Sequence, residues 1–210
     1  MKPIRIVLVG DSTVATYPED STKQGWGRML GERFKPDVTV VNLAKGGRSS
    51  KSFIAEGLWD KALKQHADYI FIQFGHNDSP GKAERSTDPN GDYMDYLRKY
   101  VADARAEGAK PILVTSVARR QYTADGKIRD GLEPYVAAMR RVAAEQKAPL
   151  IDLNASSTAM FESLGNAGSA DLSCSTEDRT HFSPKGARAI AGLVVKALIK
   201  AEPDLAAYLK

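Results

Sequence analysis

The sequence predicts an α/β fold, a three-layer α/β/α sandwich built on a five-stranded parallel sheet. Two observations predict it. Five short, near-continuous apolar runs rich in β-branched residues recur along the chain, as expected of strands covered on both faces. Amphipathic stretches with helical spacing lie between those runs, and such alternation is the signature of helices layered on a parallel sheet. The size agrees. The chain has 210 residues, 42% hydrophobic and 27% charged, which suits one domain over residues 1–210. A chain of this length buries roughly 70% of the surface it exposes when unfolded, so its core needs neither metal nor disulfide.

The first strand is expected at residues 4–9, Ile-Arg-Ile-Val-Leu-Val, and the second at 38–43. Residues 69–74 make the third, 111–117 the fourth and 149–153 a short fifth. Between the third and fourth, Met94, Leu97, Val101 and Ala104 fall on one helical face. Val136, Met139, Val142 and Ala143 do so before the fifth, with Pro134 in a first-turn position. A short helix is expected near 155–164. The last helix opens with Ser183 as N-cap and Pro184 at its first position, and its buried face would be Ala187, Ile190, Ala191, Val194 and Leu198. Right-handed crossovers then give a flavodoxin-like strand order. Three connections, 79–92, 118–132 and 165–183, exceed the common loop of about 4 to 6 residues. They lie where open α/β sheets bind ligands, outside the carboxyl ends of the strands.

Composition excludes several classes. The single cysteine, Cys174, rules out an internal disulfide framework, a Cys-rich zinc site and a CxxC redox motif. Three scattered histidines, His66, His76 and His181, leave little for a metal centre. Net charge is +4, from 30 basic and 26 acidic residues. The densest basic doublets are Arg119-Arg120 and Arg140-Arg141. No basic run interleaves with aromatics, so nucleic acid is not an expected partner. No apolar stretch approaches the roughly 18 residues of a membrane span, and the run at 4–9 is too short for a signal peptide's apolar region.

Four short segments carry chemistry. The first strand ends in Gly10-Asp11-Ser12-Thr13, where a serine at the sheet rim is a candidate nucleophile; a turn or cap explains the same residues. It is not the GxSxG elbow, and GxGxxG and GxxxxGK[ST] are missing. The second strand runs into Asn42-Leu43-Ala44-Lys45-Gly46-Gly47-Arg48-Ser49, whose paired glycines suit either a tight turn or an N–H aimed at a ligand. The third ends in Phe74-Gly75-His76-Asn77-Asp78. There Asn77 either caps a turn or donates to an oxyanion, and His76 reads as structural or substrate-facing rather than as a base. Before the last helix stands Glu177-Asp178-Arg179-Thr180-His181. A carboxylate three residues from an imidazole can hold one ring nitrogen while the other faces a serine. Asp171 and Glu177 read as solvated, and no partner is found that would activate Cys174. Together the four segments supply nucleophile, base, orienting acid and oxyanion donors, the complete set for acyl transfer.

These segments resemble the four blocks of the SGNH (GDSL-type) hydrolases. The likeness is greater to the rhamnogalacturonan acetylesterase-like branch, which is similar in Gly-Asp-Ser-Thr, Gly25-Trp26-Gly27, Ala-x-x-Gly-Arg-Ser, Phe-Gly-His-Asn-Asp and Thr180-His181-x-Ser-Pro. The blocks run in order from residue 10 to residue 186. The resemblance implies Ser12 as nucleophile, His181 as general base and Asp178 as its partner. It implies an oxyanion hole from the N–H groups of Ser12 and Gly47 and the side chain of Asn77, with no metal or cofactor. It also implies a serine esterase that removes O-acetyl groups from plant-wall polysaccharides such as pectin or xylan through an acetyl-enzyme. The partner is then an acetylated carbohydrate, with no membrane or nucleic acid involved. Members are exported with their signal removed, whereas a chain without a signal suits the cytoplasm. One cysteine cannot form the intrachain disulfides of fungal relatives.

A broader esterase of the same superfamily is the alternative: an acetylxylan esterase, lipase, thioesterase or lysophospholipase. A carbohydrate-binding module would be expected to lack a triad member, and an electron carrier would be coloured. Sugars are favoured because the long loops show no apolar lid. Arg119, Arg120, Gln121, Tyr122, Asp125 and Lys127 suit a hydroxylated or uronate substrate.

Overall fold

The computed structural model describes residues 1–129 and 131–210. Five strands form one parallel sheet: β1 (Ile4–Gly10), β2 (Val38–Asn42), β3 (Tyr69–Gln73), β4 (Lys110–Val114) and β5 (Leu150–Ile151). Their order is β2-β1-β3-β4-β5, the flavodoxin-like order expected. Register is set along the centre, where Leu8 pairs Phe71 and Phe71 pairs Ile112.

Alternation along each strand divides the core between the two faces of the sheet. Ile4, Ile6 and Leu8 of β1, Phe71 of β3 and Ile112 and Val114 of β4 point to one side. Val7 and Val9, Ile70 and Ile72, and Leu113 point to the other. The first face is covered by α1 (Trp26–Leu30), α6 (Leu153–Gly168), α7 (Pro184–Ala201) and the short α8 (Pro203–Ala206). The second is covered by α2 (Ser50–Ala55), α3 (Leu58–Leu63), α4 (Asp92–Ala106) and α5 (Glu133–Gln146). All the expected apolar positions of α4, α5 and α7 are buried. The Ser183 hydroxyl caps α7 by accepting from Gly186 N–H at 3.1 Å.

The structure corrects several expectations. β4 stops at Val114 rather than 117, and β5 has two residues rather than five. Asp152 takes over as N-cap of α6, accepting from Ala155 N–H, so Leu153 enters the helix. The expected loop 165–183 is shorter, because α6 runs to Gly168, through non-helical Gly165, and a 3₁₀ turn follows at Ala170–Leu172. Helices α1, α2 and α3 were not expected. At five and six residues they carry too few turns for a periodic signal. The loop 118–132 contains residue 130, which lies outside the described residues.

Candidate active site

The carboxyl ends of β1, β2 and β3 bring the first three segments to one rim. Asp11 opens a turn after β1, its carbonyl accepting from the N–H groups of Val14 and Ala15. This presents Ser12, partly exposed, above the sheet. Behind it, buried Trp26 donates its indole N–H to Gln73 Oε1 at 2.8 Å, and Gln73 Nε2 donates to Thr13 Oγ1 at 2.7 Å. The turn is therefore tied to β3. Tyr17 closes over the same spot, donating its hydroxyl to the Ser12 carbonyl at 3.0 Å. Burial, and then the Asp11 charge, push this phenol up to about 12, so it stays a donor.

His181 reaches Ser12 from the other end of the chain. Phe182 is buried and bridged to both Gln24 and Ser173, while Cys174 N–H donates to the His181 carbonyl at 3.2 Å. The imidazole is thereby fixed on both sides. Its Nε2 lies 2.9 Å from Ser12 Oγ and its Nδ1 lies 2.8 Å from Asp178 Oδ2. Asp178 Oδ1 accepts from the N–H groups of Thr180 and His181, both at 2.7 Å. Burial pushes the Asp178 carboxyl up, but these two donors and the imidazole outweigh it and bring it down to about 2. An ionised Asp178 requires a hydrogen on Nδ1, which leaves Nε2 a lone pair for the Ser12 hydroxyl. Cys174 sits beside this pair, its thiol 3.5 Å from Asp178 Oδ2. Burial and the Asp178 charge push the thiol up, the reverse of activation.

The second and third segments supply free donors. Gly47 has φ +79°, a conformation that favours glycine. Among the described residues, neither the Ser12 N–H nor the Gly47 N–H donates to a protein acceptor. Asn77 Nδ2 spends one hydrogen on the Arg48 carbonyl at 3.1 Å, which orients the amide. Ser12, Gly47, Asn77, Asp178 and His181 thus lie on the expected segments, and the Ser12–His181–Asp178 chain is closed by hydrogen bonds.

Two other residues, Arg120 and Tyr122, behave differently from expectation, and His76 takes the structural one of its two readings. Arg120 does not face a substrate. It is 2% exposed, and its guanidinium donates to Ser169 Oγ, Ser173 Oγ and the Asn166 carbonyl. Tyr122 also turns inward, its hydroxyl donating to the Phe161 carbonyl at 2.7 Å. Both fasten the loop after β4 to the segment that leads to Asp178. His76 is buried and bonded at both nitrogens, to Asp11 and to the Val117 carbonyl. His66, by contrast, is exposed. Asp171 and Glu177 are exposed, as expected.

Asp78 links the second segment to the third. It accepts from Ser50 N–H at 3.1 Å, from the Ser50 hydroxyl and from the Thr87 hydroxyl at 3.1 Å. Burial pushes its carboxyl up to about 7 in spite of these donors. An acid raised in the folded state holds its proton more tightly folded than unfolded. Its contribution to stability is therefore full at low pH and is lost as pH rises from its ordinary value of 3.8 through about 7. Denaturant midpoints taken across that window are expected to fall less steeply with pH in Asp78→Asn than in wild type. Parallel slopes would show that Asp78 does not carry the effect.

Among the described residues, no group of three His, Cys, Asp or Glu side chains is placed to hold a metal ion, and no helix is long and apolar enough to cross a membrane.

A serine, imidazole and carboxylate at the carboxyl rim of a parallel sheet define a class of hydrolase, and the chain belongs to the GDSL-like lipase/acylhydrolase family, whose model matches residues 8–189. Within that family it is similar to the probable rhamnogalacturonan acetylesterase YesY of Bacillus subtilis, 42% identical over 199 residues that cover 92% of this chain and 91% of that one. It is 38% identical to rhamnogalacturonan acetylesterase RhgT of the same organism, over 94% of this chain and 90% of that one. The crystal structure of protein YxiM from Bacillus subtilis superposes with a TM-score of 0.85 at 30% identity, covering 95% of this chain and 57% of that one. An acetylxylan esterase from Geobacillus stearothermophilus has the same fold, with a TM-score of 0.70 at 19% identity, over 95% of this chain and 94% of that one.

Proposed function

We propose that this protein is a serine esterase that removes O-acetyl groups from plant-wall polysaccharides or oligosaccharides of the rhamnogalacturonan or pectin type, with residues 1–210 as one catalytic domain. The observation that carries the chemistry is the closed chain from Ser12 Oγ to His181 Nε2 at 2.9 Å and from His181 Nδ1 to Asp178 at 2.8 Å. The names of the two relatives at 42% and 38% identity support the substrate class.

In this reading Ser12 attacks the acetyl carbonyl while His181 takes its proton. The N–H groups of Ser12 and Gly47 and the free amide hydrogen of Asn77 receive the developing oxyanion. His181 then returns the proton to the departing sugar hydroxyl, which leaves an acetyl ester on Ser12. Water, deprotonated by His181, hydrolyses that ester to acetate and restores the serine. Asp178 holds the imidazole tautomer throughout and stabilises the imidazolium.

The test is acetate release from acetylated pectin, xylan and mannan fragments and from long-chain esters, measured side by side. The expected outcome is highest kcat/KM on pectic fragments. Preference for long-chain esters would move the protein to the lipase or thioesterase reading.

A further inference from the structure

Among the described residues two aspartate–histidine pairs stand out, and of these the His181–Asp178 pair faces a hydroxyl. In the second, His76 Nδ1 lies 3.0 Å from Asp11 Oδ2 and His76 Nε2 lies 2.9 Å from the Val117 carbonyl. Asp11 immediately precedes Ser12, and His76 immediately precedes Asn77. We propose that His76 and Asp11 hold one buried proton between them, on Nδ1, and act as a positioning pair that locks the Ser12 turn to the Asn77 turn.

The proton follows from the partners. A carbonyl oxygen only accepts, so Nε2 must carry a hydrogen. A carboxylate oxygen facing a bare Nδ1 would set two acceptors against each other. With side-chain exposures of 4% and 0%, water cannot relieve that conflict. One more proton therefore lies between Nδ1 and Oδ2. The other carboxylate oxygen is already engaged, accepting from the N–H and the hydroxyl of Thr13, both at 2.8 Å. Burial pushes the Asp11 carboxyl up, but His76 and then Thr13 outweigh it and leave it lowered, which places the proton on nitrogen. The pair neutralises itself and offers no lone pair, so its imidazole cannot serve as a base. Arg119 adds a further tie, donating to the His76 carbonyl at 3.2 Å. Asp78, Tyr17 and Tyr93 are other titratable groups that sense the Asp11 charge.

The consequence is mechanical. The Ser12 N–H and the Asn77 amide must converge on one oxygen, yet they stand in the turns after two different strands, 65 residues apart. The His76–Asp11 bond spans that gap one residue away from each donor.

This inference rests on the esterase reading for its kinetic arm, and a second arm is independent of it. In His76→Asn the amide nitrogen takes the place of Nδ1 and keeps the bond to Asp11. In His76→Gln it takes the place of Nε2 and keeps only Val117. His76→Gln is expected to lose about 10²-fold in kcat on an aryl acetate with little change in KM, while His76→Asn stays within about 10-fold of wild type. Equal losses in the two variants, or a loss confined to KM, would overturn the pair's role. The second arm is nitrogen-resolved magnetic resonance of the wild-type imidazoles, three in number and assignable by substitution. Near neutral pH His76 is expected to carry hydrogen on both nitrogens, and a bare Nδ1 overturns the proposal even if a variant fails to fold. If wild type itself releases no acetate from the aryl acetate, the esterase reading fails while the spectrum still decides the pair.

Discussion

Replacing Ser12 by alanine is expected to lower acetate release from an aryl acetate by about 10⁴-fold or more, with the fold intact. The substitution removes one oxygen from a partly exposed turn. The turn itself is held by groups other than the Ser12 hydroxyl: Asp11 with Thr13, Gln73 with Thr13, and Tyr17 with the Ser12 carbonyl. Thermal unfolding should therefore be nearly unchanged, and so should affinity for a competitive product. Under the proposed mechanism what is lost is the route to an acetyl-enzyme, leaving the oxyanion donors to act on water alone, as in other enzymes stripped of the nucleophile. Acetate release close to wild type would remove Ser12 from the mechanism.

The largest expected change in stability comes from Gly186→Ala. Gly186 lies in the first turn of α7, and a Cβ there would stand 2.0 Å from the Leu172 carbonyl oxygen and 2.9 Å from its carbon. Both are backbone atoms, so no rotamer change relieves the overlap. That carbonyl also accepts from Ser183 N–H at 3.0 Å, which joins the start of α7 to the segment before Cys174. Overpacking of this kind costs about 3 kcal/mol or more. For a chain of this size the melting temperature should fall by about 6 to 12 °C. The same substitution at Gly192, about 1.7 turns further along α7 with nothing within 4 Å of its Cβ, is the control. It should be neutral or stabilising by up to about 1 kcal/mol, because alanine is the better helix former. Equal melting temperatures for the two variants would show that α7 and Leu172 separate freely.

The contrast between those two glycines reflects what a sequence can and cannot reveal. The stripe from Ala187 to Leu198 was legible because helical burial repeats locally, and every position of it is buried. The strand centres were legible for the same reason. Strand ends were less so, because Asp152 is compatible with a strand and decides for the helix only by capping it. Among candidate site residues, Asp178 and His181 were legible as a pair because they are only three positions apart. Arg120 was misread: a doublet of arginines in a loop has no periodicity to tell the outward one from the inward one. The three acceptors that draw Arg120 in come from 46 to 53 residues away. His76 was left open because its partner Asp11 is 65 residues distant. Pairings of that kind are set by sheet register, which joins β1 to β3 only in the folded chain.

Register also determines when the site comes into being. The hydroxyl of Ser12 and the ring of His181 are 169 residues apart in the chain. The strand order brings the first strand to the interior of the sheet, and α7 then packs against α1. Nothing short of nearly the whole polypeptide, docked through α7, places the imidazole over the serine. A fragment that ends before residue 178 holds every residue of the first three segments but neither Asp178 nor His181, and in a collapsed chain the imidazole is not yet docked. Under the proposed mechanism, hydrolysis therefore reports completed assembly, and a half-folded chain is silent toward esters around it.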